Sequence, residues 1–188
     1  MKSNYKDFEE LLLWGKKNNI QVLTDFNLMA RNDNTTDNLE QRLSEEEAAV
    51  VIKAIIQHDE SYQKIIMGGE NCSVIDINAP ICHVGQDKIC ISSTGDLFPC
   101  PGWQGMTVGN IYQNTLMDVW KNSEKLNWLR SLKRAEIPKC LNCDSKDYCL
   151  LCIQRNFNET KDIFTVPSHF CKIAALNKHL VSVYKNEI

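Results

Sequence analysis

The sequence predicts an α/β chain in two unequal parts. A helix–strand–helix stretch over residues 1–71 is incomplete as a fold, and a small cysteine-rich domain with a β-hairpin and helices follows over 72–188. Three observations carry this division. All nine cysteines lie between Cys72 and Cys171. The charge changes at the same place, from 8 basic and 13 acidic side chains in 1–71 to 13 basic and 11 acidic in 72–188. Finally, the strand signal of the first part has no obvious neighbour there, and one strand cannot satisfy its own backbone or bury both faces.

In the first part, Phe8, Leu11, Leu12 and Gly15 mark the apolar side of a helix that ends near Asn18–Asn19. Ile20 to Phe26, rich in β-branched and aromatic residues, reads as a short strand. Arg31 to Asn38 is a loop, because every residue after Arg31 in it is Asn, Asp or Thr. Ser44 with Glu47 makes a capping box, and Ala48, Val51, Ile52, Ile55 and Ile56 form the helical stripe behind it. The unpaired strand either pairs with the cysteine-bearing half or belongs to the tail of a longer ancestral domain, and the second reading is preferred.

In the second part, Lys88 to Ser93 reads as a strand, Thr94-Gly95 or Gly95-Asp96 as a turn, and Leu97-Phe98 as the return strand, stopped by Pro99. Helices are expected around Leu116–Trp120 and Leu126–Lys133. A cysteine knuckle over 140–152 comes next, then a polar loop, then a closing helix from about Ser168 that presents Phe170, Ile173, Leu176 and Leu180.

The formal net charge of -3 argues against a broad nucleic-acid groove. No run of 18 apolar residues exists and the start, Met1 to Glu10, is polar and acidic, so neither a membrane span nor a secretory signal is expected. The expected setting is the cytoplasm. An odd cysteine count with CxxC pairs argues against a secreted disulfide scaffold. Thiolates gathered in a reducing compartment usually hold metal.

Cys140-x2-Cys143-x5-Cys149-x2-Cys152 is the sharpest local signal. Two residues between thiolates let one turn deliver both sulfurs to one centre, as in structural zinc sites. A single knuckle leaves Cys82, Cys90, Cys100, Cys171 and Cys72 unexplained. Eight thiolates suit two four-cysteine sites, and the spacing alone admits either iron–sulfur clusters or zinc.

Cys82-x12-Gly95-x4-Cys100, followed by the knuckle and Cys171, resembles the seven-cysteine SPASM domain. That domain follows the catalytic barrel of many radical S-adenosylmethionine enzymes, especially those that mature ribosomally made peptides. Gly-Asp-Leu-Phe-Pro-Cys-Pro-Gly at 95–102, Gly109-Asn110-Ile111 and Leu116 to Trp120 extend the likeness. The resemblance implies two auxiliary [4Fe–4S] clusters. The first would take Cys82, Cys100 and Cys152, with Cys90, Cys72 or an open or non-cysteine position as the fourth. The second would take Cys140, Cys143, Cys149 and Cys171. One departure is the interval Cys149-x2-Cys152, where the family usually has three residues. The resemblance also makes 1–71 the C-terminal remnant of a partial (β/α) barrel, and 72–188 the SPASM-like domain.

Other residues carry paired readings. His83 is a donor to a cluster ligand or an exposed loop histidine. Trp103, Trp120 and Trp128 shield a cluster or simply pack. Lys133, Arg134 and Lys139 offset an anionic cluster or form a solvated face. Asp25 and Arg31 are an ion-pair candidate where the family brings polar residues to substrate. Met67-Gly68-Gly69-Glu70 resembles a cofactor-binding glycine motif, but its position favours a linker turn.

These 188 residues contain no CxxxCxxC, the loop that holds the radical-generating cluster in that family. Catalysis by this chain alone is therefore not expected, and S-adenosylmethionine would belong only to a complete enzyme. The leading expectation is an auxiliary cluster-binding portion of a peptide-maturing enzyme, for electron transfer or substrate positioning. Its partners would be a precursor peptide and a chain supplying the missing barrel. The alternative is a zinc-stabilised structural or peptide-binding module without redox chemistry.

Overall fold

The computed structural model describes residues 1–22, 25–68, 76–149 and 151–187. Cys72 lies outside the described residues, as do Gly69 and Glu70 of the glycine motif. Helix α1, Phe8–Lys17, buries Leu12 and Gly15. A Cβ at Gly15 would stand 2.4 Å from Val22 Cγ2 and 2.9 Å from the Ile20 carbonyl oxygen, so a bare glycine lets the chain turn back over the helix. Leu11 does not join that face and is 47% exposed.

The expected strand over Ile20–Phe26 is not formed among its described residues, Ile20–Val22 and Asp25–Phe26. Composition favours extended backbone there, but among the described residues no neighbouring strand supplies hydrogen-bond partners. The chain instead crosses to Arg31 and turns, with the Arg31 N–H donating to the Thr35 carbonyl at 3.0 Å.

Helix α2, Glu45–His58, begins at the expected box. The Glu47 N–H donates to Ser44 Oγ at 3.2 Å, and the Ser44 N–H donates to Glu47 Oε2 at 2.8 Å. Its buried side is Ala48, Val51, Ile52, Ala54 and Ile56. Helix α3, Glu60–Gly68, follows and takes in the first two residues of the glycine motif.

In the second part, β1 (Cys90–Ile91), β2 (Asp96–Phe98) and β3 (Gly109–Asn110) form an open antiparallel sheet in that order. Cys90 pairs with Phe98, Ile91 with Leu97, and Leu97 with Gly109. The first strand is shorter than the predicted 88–93, and the third was not anticipated. Gly95 turns the hairpin at φ +81°, a left-handed conformation costly to residues with a Cβ. Helices α4 (Leu116–Asn122), α5 (Glu124–Ser131) and the single turn α6 (Pro138–Leu141) lead into the knuckle.

The expected polar loop after the knuckle is a helix, α7 (Ile153–Thr160), followed by the closing helix α8 (Ser168–Glu187). Polarity misleads here because Gln154, Asn156 and Asn158 are buried and hydrogen-bonded. Asn156 Nδ2 donates to the Ile163 carbonyl at 2.8 Å, and Asn158 Nδ2 to the Ala30 carbonyl at 3.4 Å.

Helices α2 and α8 share one core. Ile52 and Ile56 pack with Leu180 and Val181, while Leu43, Ala48 and Val51 pack with Ile173. Each such buried valine, leucine or isoleucine contributes about 1.5–3 kcal/mol. A second core joins Ile81, Val84, Trp103, Leu129, Leu132, Ile137, Ile153 and Ile163, and Cys82, Cys100 and Cys140 border it. The architecture is thus a helical first part, with no strand among its described residues, followed by a cysteine-rich part that holds the open three-stranded sheet and the remaining helices. No described helix is long and apolar enough to cross a membrane.

Candidate metal centre

The eight described cysteines come from four places along the chain. Cys82 precedes a turn closed by Gly85 at φ +69°. Cys90 opens β1, and Cys100 follows β2 after Pro99. Cys140 sits in α6, while Cys143, Cys149 and Cys152 follow along the knuckle. Cys171 lies in the first turn of α8. These eight are half-buried free thiols.

Their mutual influence divides them into two groups. Burial pushes the Cys82 thiol up, the Val84 N–H at 3.5 Å opposes it, and Cys152 adds to the rise. Burial likewise raises Cys100, opposed by the Gly102 N–H and reinforced by Cys152, Cys82 and Cys90. In the other group, burial and then Cys171 and Cys143 raise Cys140. Burial, then Cys140, Cys171 and Cys143, push Cys149 up to about 11. Each group has a nearby cation that favours thiolate: Lys88 for Cys82, Lys139 for Cys140 and Arg155 for Cys149. Lys139 was singled out from the sequence, whereas Lys88 and Arg155 were not.

Among the described residues, no three His, Cys, Asp or Glu side chains are drawn together as a site for a single metal ion. A tetrahedral zinc site with Zn–S bonds of about 2.3 Å needs sulfurs about 3.8 Å apart. A four-iron cluster is itself several ångström across and holds its thiolates farther apart.

The donor chemistry suits a cluster in kind, with four thiols in each group and main-chain N–H donors on two sulfurs of the first. Trp103 adds an unpaired donor. It is fully buried, its Nε1 has no hydrogen-bond partner, and Cys82 and Cys100 pack against its core. A buried orphan N–H is costly, and the sulfurs of a bound cluster would be acceptors for it.

The remaining sequence candidates resolve individually. The His83 side chain is 82% exposed, 3.8 Å from Asp87, and reads as a loop histidine. Trp120 lies under the Arg130 guanidinium at 4.7 Å, and Trp128 is 43% exposed. Asp25 and Arg31 do not pair with each other. Arg155 binds Asp25 at 2.8 Å, and Arg31 binds Asp37 at 2.9 Å. Asp25 and Arg31 line a cavity of about 590 Å³ walled by the loop Asp25–Asp33. Gln154, which sequence reasoning passed over as loop, joins this loop to the first thiol group.

Eight half-buried thiols thus fall into two groups, with main-chain N–H donors on the sulfurs of Cys82 and Cys100. Residues 82–144 match the SPASM family, described as an iron-sulfur cluster-binding domain. A SPASM domain is therefore present in this chain. The matched stretch includes Cys82, Cys90, Cys100, Cys140 and Cys143. The chain is also similar to an AdoMet-dependent heme synthase of Methanosarcina barkeri, at 32% identity over 81 residues. That alignment takes in 43% of this chain and 23% of the relative, so the aligned part spans under a quarter of the relative's length. No solved structure matches.

Proposed function

We propose that this chain is the auxiliary-cluster portion of a radical S-adenosylmethionine peptide-modifying enzyme and binds two [4Fe–4S] clusters. The observation that carries the reading is the division of eight half-buried thiols into two groups of four by their mutual electrostatic influence. Cys82, Cys90, Cys100 and Cys152 would hold one cluster, and Cys140, Cys143, Cys149 and Cys171 the other. Cys90 rather than Cys72 is taken as the fourth ligand because it lies within electrostatic reach of Cys100. Such clusters supply one-electron redox chemistry or an iron that positions a substrate.

The chain's own residues give the ligands an ordered frame. The Gly95 turn holds the two strands leading from Cys90 and toward Cys100. Helix α8 packs against α2 and fixes Cys171 relative to the knuckle. These 188 residues hold no CxxxCxxC, so the barrel, S-adenosylmethionine and the radical would come from outside them, for instance from a partner chain. The exposed Leu11 and Trp14 of α1 suit contact with such a chain. A ribosomally made precursor peptide would be the substrate, and the reducing cytoplasm suits eight free thiols.

The test is iron, sulfide and zinc quantitation on protein purified and reconstituted without oxygen. About eight irons and eight sulfides per chain, with broad visible absorption near ~400 nm, are expected. About one or two zincs without sulfide would replace this reading with a zinc-stabilised structural or peptide-binding module.

A further inference from the structure

Gln154 occupies the first turn of α7 and is only 4% exposed. Its carbonyl oxygen receives the Cys152 S–H at 3.7 Å, and its amide nitrogen donates to Met29 Sδ at 3.4 Å. Gly102 lies against the same amide, since a Cβ there would stand 2.7 Å from Gln154 Oε1. The Gly102 N–H serves Cys100. Gln154 is therefore a buried amide wedged between two cysteines of the first group and the loop that walls the cavity.

This arrangement suits a protonated Cys152 and not a ligating one. When the sulfur binds iron its proton leaves to water, and the sulfur becomes an acceptor only. A carbonyl oxygen facing a thiolate is repulsive, and burial leaves little water to intervene. The amide has nearly identical ends in shape, so a half-turn about its terminal bond exchanges oxygen for nitrogen without repacking.

We propose that Gln154 is a positioning residue for the first cluster: its side-chain N–H binds the ligating sulfur of Cys152, in competition with the Met29 thioether. This rests on the two-cluster reading above. The charged sulfur is the stronger acceptor, whereas a thioether is a weak one. An N–H on a cluster thiolate stabilises the reduced, more negative state and raises the reduction potential.

The experiment is a mediated redox titration of the reconstituted full chain, followed by electron paramagnetic resonance. Gln154→Met keeps the volume and removes the donor, and should move one of the two reduction waves to more negative potential while the other stays. Met29→Leu removes the competing acceptor and should move the same wave the opposite way. A purely structural role for Gln154 would alter iron content or stability without opposite shifts. Full iron and sulfide loading with unmoved waves in both variants would overturn the role of Gln154 and leave the two-cluster reading intact. A wild-type chain that takes up no iron and sulfide would overturn both. If Gln154→Met fails to load, Met29→Leu decides: an unmoved wave overturns the role.

Discussion

Arg42 and Glu159 meet in a two-pronged ion pair, 117 positions apart in sequence, with each side chain only 14% exposed. Arg42 also donates from Nε to the Leu28 carbonyl at 2.8 Å, and its guanidinium lies 5.2 Å from the centre of the Phe170 ring. One side chain thus ties the cavity loop, α7 and α8 together. Losing one partner leaves a largely buried charge unpaired, which costs more than losing both. Arg42→Met and Glu159→Gln should each destabilise the chain by about 2–4 kcal/mol. The double variant should cost less than the sum, as read by a double-mutant cycle in urea.

Gly95 gives a sharper conformational test. At φ +81° an L side chain is strained, and a Cβ would stand 2.6 Å from Tyr112 Cε2. Tyr112 is highly exposed and can swing aside, so backbone strain dominates. Gly95→Ala should lose about 1–2 kcal/mol. Gly95→Asn should lose less, because asparagine tolerates the left-handed region. Equal losses in urea unfolding would place the cost in the Tyr112 contact instead.

Acid should expose the role of Asp96 in the same hairpin. Its carboxylate accepts from Asn110 Nδ2 at 2.9 Å and Thr94 Oγ1 at 2.9 Å, which hold its pKa below the usual carboxylate value. A group lowered on folding adds stability above its unfolded pKa, near ~3.9, and loses it as pH falls through the lower folded value. The metal-free chain should therefore lose stability more steeply below about pH 4 than Asp96→Asn does. Identical unfolding profiles from neutral to strongly acid pH would remove Asp96 from that account.

The contrast between Ser44 and Gln154 shows which parts of the fold were legible. The capping box at Ser44 and Glu47 is local, and its residues specify the helix start wherever the chain goes. Gly95 announced its turn for the same reason. The closing helix was visible because its apolar stripe repeats for several turns. Helix α7 was invisible because its buried side is built from Gln154, Asn156 and Asn158. Those amides become interior residues only when Ile163, Ala30 and Met29 supply partners. The Ile20–Phe26 signal fails in the opposite sense, since β-branched composition was present but a neighbouring strand was not. The cysteine spacing made the candidate ligands legible, while the unpaired indole N–H of Trp103 required the packed core.

The two thiol groups should be separable by substitution. Cys143 raises the Cys140 thiol and both raise Cys149, while Cys82, Cys90 and Cys152 raise Cys100. Replacing Cys140 and Cys143 together by alanine should remove about four irons and four sulfides and spare the other cluster's spectrum. Replacing Cys82 and Cys100 should remove the complementary set. Because metal binding also contributes folding free energy, each pair variant should unfold at lower denaturant than the fully loaded chain. The frame shared by α2 and α8 contains neither Cys82 nor Cys100, so the second pair variant should retain its helical circular dichroism. Loss of all iron from both variants would mean that the two groups load as one cooperative unit rather than as separate sites.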